Sequence, residues 1–285
     1  MSPNRVPEAA LPFVRSVAHF TDFSDEDEVA FAHALAIALV RRASLTILHA
    51  GGEQPSAWSE YPSVRRVLER WKLLEPGSER SDVYEKLSVG VEKILLRKDS
   101  ARAMLSYVQE EHPDLLVFST GRRDGLAAWR DPSRSQTVAR RSRTMTLFVG
   151  AGVRPFVSIE DGHLSLRRIL VPIDRTPDAT QAIVAATRAA SGYGDLHVEI
   201  TLLHIGEDTL PPYPRPESAD WIWRDELRQG DIVEEILEEA EANESDLIVT
   251  ATDGRNGVLD ALRGSFTERI VARAPCPVLA VPAPT

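Results

Sequence analysis

The chain has 285 residues, of which 43% are hydrophobic, and its formal net charge is −10. That length fits two domains of about 140 residues, and the hydrophobic fraction suffices for packed cores, which excludes wholesale disorder. The charge is divided unevenly. The first 155 residues carry 22 Lys and Arg against 20 Asp and Glu, whereas the remainder carries 11 against 23. An acidic second half argues against nucleic acid as a partner.

Cysteine content and the length of the apolar runs exclude further classes of protein. Cys276 is the only cysteine, so neither an intrachain disulfide nor a multi-cysteine metal site can form. The longest apolar stretch, residues 29–40, is too short to span a bilayer and contains His33, which predicts a buried helix. Residues 1–16 lack the basic start and apolar run of a secretory signal. We therefore expect a cytoplasmic protein with no membrane partner.

The predicted elements occur twice along the chain. The first half predicts strands over residues 16–24, 45–49, 114–120 and 146–149, with a helix over 29–40. The second half repeats this order, with strands over residues 168–176, 200–204, 246–252 and 278–281 and a helix over 179–190. Strands rich in Val, Ile and Leu that alternate with helices are typical of a parallel sheet buried on both faces. We therefore predict an α/β protein with two tandem doubly wound domains, residues 1–152 and 153–285, each with five parallel strands and helices on both faces.

Further segments of the second half add to this prediction. Trp221 and Trp223 alternate in what reads as the third strand, so they share one face. Residues 231–241 place apolar side chains, among them Ile232, at helical spacing, which predicts an acidic amphipathic helix with a solvated face. Residues 208–219 contain four prolines and predict irregular structure.

A glycine motif near the end of the chain indicates an anion site. An apolar strand leads into Gly254, nine residues separate Gly254 from Gly264, and Ser265 follows directly before a helical pattern. Strand, glycine loop and helix start together direct free backbone N–H groups and the positive end of the helix toward one point. A phosphate can bind at such a point.

The spacing of this motif resembles the nucleotide loop of the universal stress protein family, in which glycine, two residues, glycine, nine residues and Gly-Ser follow one another. Ala251 stands here at the first glycine position. The resemblance covers nearly the whole chain and is strongest in the segments ILVPID, LLHIGE and LRGSFTERIVARAPCPVLAVP. It implies a fold that binds an adenine nucleotide, ATP in many members, for which Mg²⁺ is a candidate companion ion.

The resemblance also implies roles for single residues. Asp174, at the end of the first strand of the second half, would lie near the adenosine part of the nucleotide. Gly254, Gly264 and Ser265 would hold the phosphates, and Ala251 would be a modified contact.

Each of these residues has a structural alternative. Asp174 lies in Asp-x-Thr-Pro-Asp, which favours a turn or a helix cap. Ser265 and Glu268 match a capping box, which satisfies helix N–H groups without any ligand. Gly264 could equally be a simple turn glycine.

Other residues count against ATP. Ala251 adds a methyl group where backbone should approach the ligand, and Asp253 puts a carboxylate near the phosphates. In the first half, the three glycine positions fall on Ser119, Arg122 and Pro132, and a proline has no N–H to offer a phosphate. We therefore expect any nucleotide in the second domain alone.

Three functions remain open from the sequence. The first is a stress-response protein that binds an adenine nucleotide in its second domain. The second is a nucleotide-independent interaction module, which Ala251 and Asp253 favour. The third is a slow ATPase, which is the least supported because only Asp253 offers a general base. A homodimer is a candidate assembly, and the two domains are expected to form an internal pseudo-dimer. No metal ligand set is predicted, since His49 and His204 lack a second ligand at suitable spacing.

Overall fold

The computed structural model describes residues 14–21, 23–24, 27–50, 63–96, 101–121, 134–206, 209–252 and 266–283. Within these ranges the chain divides into two compact units. The first unit comprises residues 14–121 and 134–164, and the second comprises residues 165–283. Among the described residues, no helix is both long enough and apolar enough to cross a membrane.

The first unit is a parallel sheet with helices, in the order that the sequence predicts. Its strands are β1 (Ser16–Thr21), β2 (Ser44–Ala50), β3 (Val91–Leu96), β4 (Leu115–Thr120) and β5 (Met145–Gly150). Its helices are α1 (Asp27–Arg41), α2 (Val64–Arg70), α3 (Ser81–Leu87), α4 (Ala101–Glu111) and α5 (Arg134–Ser142). The strands are hydrogen-bonded in the order β3-β2-β1-β4-β5, and every pairing among them is parallel.

The second unit repeats this topology. Its strands are β6 (Leu166–Pro172), β7 (Gly194–Ile205), β8 (Trp221–Arg228), β9 (Leu247–Thr252) and β10 (Val278–Pro282). Its helices are α6 (Thr180–Tyr193), α7 (Ile232–Ala242) and α8 (Phe266–Arg273). The order β8-β7-β6-β9-β10, again parallel throughout, matches the first unit strand for strand. The predicted α/β fold, with five parallel strands and helices in each unit, is confirmed.

Equivalent aspartates fasten the start of the central strand in both units. Asp114 accepts the backbone N–H groups at positions 15 and 16, at 2.8 and 3.1 Å. Asp246 accepts the N–H groups at positions 167 and 168, at 2.8 and 2.9 Å. Each aspartate directly precedes the strand next to the central one, so the repeat preserves local hydrogen bonding as well as strand order.

The segment between the last strand of the first unit and β6 packs on the first unit. Phe156 is fully buried, and its ring meets His33 of α1 edge-on at 4.5 Å. The Trp71 indole N–H donates to the carbonyl of Ile159 at 3.1 Å. Gly162 has a φ of +72°, and a Cβ there would lie 2.5 Å from Cδ2 of Trp71. Residues 153–164, which the sequence assigns to the second domain, are thus grouped with the first unit.

Helix α7 forms over the predicted acidic segment and differs from the prediction at two positions. Its N-cap Asp231 accepts the N–H groups of Val233 and Glu234, as an N-cap aspartate should. Ile232, expected on the apolar side, is the first residue of the helix and is 46% exposed. Glu239, expected on the solvated face, is 2% exposed. It is paired there with Arg228 of β8.

Candidate functional site

The order of the second sheet defines a switch point between β6 and β9. From β6 the chain builds β7 and β8 on one side, and then returns to build β9 and β10 on the other. Strands β6 and β9 are parallel neighbours, with Ile169 opposite Leu247. Their carboxyl ends therefore meet at one edge of the sheet, where the strand order reverses. Open α/β sheets bind ligands at such a point.

Asp174 lies at this edge, two residues beyond β6, and its side chain is exposed. Its carboxylate accepts the N–H of Arg175 at 2.7 Å, within a turn over residues 175–177. The carboxylate of Asp178 accepts the N–H of Thr180, the first residue of α6, at 2.7 Å. Of the two structural alternatives for Asp174, the turn is present, and the aspartate that contacts the first residue of α6 is Asp178. An exposed carboxylate at the switch point is compatible with a ligand contact.

The backbone around Asp174 is held by a residue that the sequence did not indicate. The hydroxyl of Tyr213 donates to the carbonyl of Asp174 and accepts the N–H of Ala179 at 3.2 Å. These two hydrogen bonds bridge both ends of the turn between β6 and α6. Tyr213 lies 39 residues from Asp174 along the chain. The only sequence signal nearby is the run of prolines around it.

The glycine motif is placed only in part by the structure. Ala251 lies in β9 opposite Val281 of β10 and is 8% exposed. Gly254, Gly264 and Ser265 lie outside the described residues. Strand β9 ends at Thr252 and α8 begins at Phe266, so a strand precedes and a helix follows the part of the motif that lies outside the described residues.

The two matching histidines are structural. His49 Nδ1 lies 2.9 Å from the carbonyl of Thr21, and His204 Nδ1 lies 3.1 Å from the carbonyl of Ile173. A carbonyl can only accept, so Nδ1 carries the hydrogen in both rings. Each histidine ties the end of the second strand of its unit to the end of the first. In the part of the chain that the structure describes, no cluster of three or more candidate ligands could hold a metal ion.

The first unit holds a buried histidine–aspartate pair between its first strand and its first helix. His19 of β1 places Nε2 3.1 Å from the carboxylate of Asp27 at the start of α1. Its Nδ1 lies 3.2 Å from the carbonyl of Val117. Both ring nitrogens of His19 therefore face an oxygen that can accept a hydrogen bond.

The environment of Asp27 favours the ionised form of its carboxyl group. Burial raises the pKa of this group, but the attraction of His19 and hydrogen bonds from His19, Thr21 and Ser119 outweigh burial and lower the pKa overall. Ser119 occupies the first glycine position of this half, so a polar side chain stands where the motif of the resembled family needs bare backbone. The sequence does not predict this pair, because His19 lies in a strand and Asp27 in the following helix, and no local pattern relates the two residues.

Two doubly wound parallel α/β units in tandem define the structural class to which this protein belongs. The profile of the family described as "Universal stress protein family" matches residues 15–150 and 221–282, which is more than half of the chain. The chain belongs to the universal stress protein family. The resemblance seen in the sequence is thereby confirmed.

Curated relatives and solved structures agree with this assignment. A universal stress protein of Methanocaldococcus jannaschii is 44% identical over 59 residues, which is 21% of this chain and 35% of the relative. A second, from Thermus aquaticus, is 46% identical over 55 residues, which is 19% of this chain and 40% of the relative. The chain thus spans well under half the length of these relatives. A solved universal stress protein of Archaeoglobus fulgidus has the same fold, with a TM-score of 0.62, 16% identity and coverage of 95% and 97% of the two chains.

Proposed function

We propose that the second unit binds an adenine nucleotide, ATP in particular, and that the protein acts in a stress response through this binding. The observation that carries the proposal is the position of Asp174. Its exposed carboxylate lies at the carboxyl edge of β6, beside the strand that leads into the glycine motif. Family membership and the order of β9, motif and α8 support the same ligand.

Under this proposal each residue of the motif has a physical task. Asp174 accepts hydrogen bonds from the adenosine part. Gly254 and Gly264 let backbone N–H groups approach the phosphates, and Ser265 adds its hydroxyl at the positive start of α8. Asp253 stands close to the same phosphates along the chain, and a Mg²⁺ ion bound between them would offset the repulsion.

A nucleotide-independent interaction module is the second candidate function. Ala251 favours it, because its methyl group is held in a buried strand, where the surrounding sheet leaves it little room to move away from a ligand. An unyielding contact weakens binding by about 1–3 kcal/mol, judging from overpacking penalties. That corresponds to roughly tenfold to a hundredfold in affinity.

Calorimetric titration with ATP, AMP and cyclic AMP tests the proposal on wild type, Ala251→Gly and Gly264→Val. We expect Ala251→Gly to bind ATP tightest, because it removes the crowding methyl group. Gly264→Val should bind weakest, because a branched side chain enters the helix start. Gly90→Val is the matched control, since a Cβ at Gly90 has no atom within 4 Å. Equal affinity in all four proteins would mean that the motif is not the site. Absence of binding in all, including Ala251→Gly, would favour the interaction module.

A further inference from the structure

A stiff segment connects the Asp174 turn to the outer strand of the second sheet. Residues 209–219, named here the proline strap, contain four prolines and no helix or strand. Since each proline fixes its own φ, the strap has few alternative conformations. Its counterpart position in the first unit, between β2 and β3, holds α2 and α3 instead. Among the described residues, the strap has no equivalent in the first unit.

The strap is fastened along β8 by successive contacts. The Arg215 guanidinium pairs with Asp225 at 2.7 Å and lies 5.9 Å from the centre of the Trp223 ring. The Trp223 indole N–H donates to the carbonyl of Pro216 at 3.3 Å. Arg215 contacts Asp225 and Trp223, whereas the next residue, Pro216, contacts Trp223, which is nearer the start of β8. The strap therefore runs antiparallel to β8. Its other end therefore lies at the carboxyl edge of the sheet, where Tyr213 reaches the Asp174 turn.

Tyr213 satisfies two groups that the local backbone cannot pair. The N–H of Ala179 lies just before α6, where backbone N–H groups have no partner within the helix. The carbonyl of Asp174 lies two residues beyond β6, directly before the turn over residues 175–177. A phenol hydroxyl donates one hydrogen and accepts another, so Tyr213 serves both at once, donating to Asp174 and accepting from Ala179.

We infer that Tyr213 is a positioning residue for the nucleotide site, and that the proline strap holds Asp174 at the geometry that the adenosine part requires. This inference rests on the proposed nucleotide binding. With the bridge in place, the exposed carboxylate is fixed before ligand arrives, so binding avoids the cost of ordering the turn. Without the bridge, the turn between β6 and α6 samples other conformations and the carboxylate loses its fixed position.

Tyr213→Phe removes the hydroxyl and keeps the ring, so it tests the bridge with little change in packing. We expect the affinity for ATP and for AMP to fall by the same factor, about tenfold, the factor that matches the loss of one or two ordinary hydrogen bonds. The two nucleotides should respond equally because the bridge acts on the adenosine end. Gly264→Val, which acts on the phosphates, should weaken ATP more than AMP. Tyr84→Phe is the matched control, since Tyr84 is 68% exposed in the first unit.

A double-mutant cycle separates positioning from simple stability. In an Asp174→Asn background, Tyr213→Phe should cost no further affinity, because the residue it positions is already altered. Hydrogen exchange gives a readout that needs no ligand: the Ala179 amide should exchange faster in Tyr213→Phe than in wild type.

The outcomes distinguish the inference from the function on which it rests. If wild type binds ATP and Tyr213→Phe binds it equally well, the inference is overturned and the nucleotide function stands. An unchanged Ala179 exchange rate would overturn it too, because the bridge would then be absent in solution. If neither wild type nor Ala251→Gly binds any nucleotide, the proposed function fails and the positioning role falls with it.

Discussion

Stability of the first unit should depend on pH through the buried imidazole of His33. His33 lies in α1 and is fully buried. Burial lowers its pKa from 6.5 to about 4, although a hydrogen bond to the carbonyl of Val29, at 2.7 Å, acts in the opposite direction. The ring is therefore neutral in the folded protein across the neutral range, and Nδ1 carries its hydrogen because the Val29 carbonyl accepts it.

The sign of the effect follows from proton uptake on unfolding. The unfolded chain binds a proton at His33 near pH 6.5, whereas the folded chain resists it until about pH 4. The free energy of unfolding that is present above the unfolded pKa is therefore lost as the pH falls from 6.5 toward 4. A difference of this size is worth about 2 kcal/mol at pH 5 and about 3 kcal/mol below pH 4.

His33→Leu removes this titration at little structural cost. Leucine has a similar volume, and the Val29 carbonyl keeps the helical N–H of residue 33 as its partner. We expect the unfolding free energy of wild type to fall by about 2 kcal/mol more than that of His33→Leu between pH 7 and pH 5. Urea unfolding at the two pH values, followed by circular dichroism and tryptophan fluorescence, measures the difference.

His112→Asn is the matched control for this prediction. His112 is exposed and has a φ of +48°, a conformation that asparagine tolerates. It should lose stability with pH as wild type does. If His33→Leu and wild type lose the same free energy between pH 7 and pH 5, then the imidazole is not held neutral by burial and the reasoning is refuted.

Two further predictions concern packing and a buried charge. Gly162→Ala should destabilise the first unit by about 2–4 kcal/mol, because it adds a left-handed backbone penalty to a clash with Trp71. Gly152→Ala, with a φ of +69° and open space around it, isolates the backbone penalty, and equal losses in urea unfolding of both variants would contradict the clash. Glu239→Ala should cost about 1–3 kcal/mol, because Arg228 loses its buried partner, and a thermal melting point equal to that of wild type would contradict the pairing.

The fold could be predicted from the sequence because it depends on patterns that are local in the chain. Apolar runs such as those of β6 and β9 need both faces of the sheet covered, and their recurrence in the same order in both halves predicts the two sheets. The helical spacing of apolar side chains over residues 231–241 likewise predicted α7, whose N-cap is Asp231. Placing Asp174 at the carboxyl edge required no more than strand direction.

What the sequence could not determine are partners brought together by folding. Tyr213 reaches Asp174 across 39 residues, and Trp71 reaches the carbonyl of Ile159 across 88. Tyr213 lies among prolines and Gly162 lies between β5 and β6, and the sequence around neither residue predicts such a contact. They follow from which loops the sheet order brings to one edge.

Buried charges were decided by tertiary structure for the same reason. The spacing of apolar residues in α7 predicts Glu239 on the solvated face. Arg228 of β8 lies against that position instead, and its positive charge offsets the cost of burying the carboxylate. His19 and Asp27 are likewise buried as a pair. Periodicity reports only how often a position recurs on a helix or strand face. It does not predict whether another element places an opposite charge against that face, because the position of that charge depends on how the elements pack.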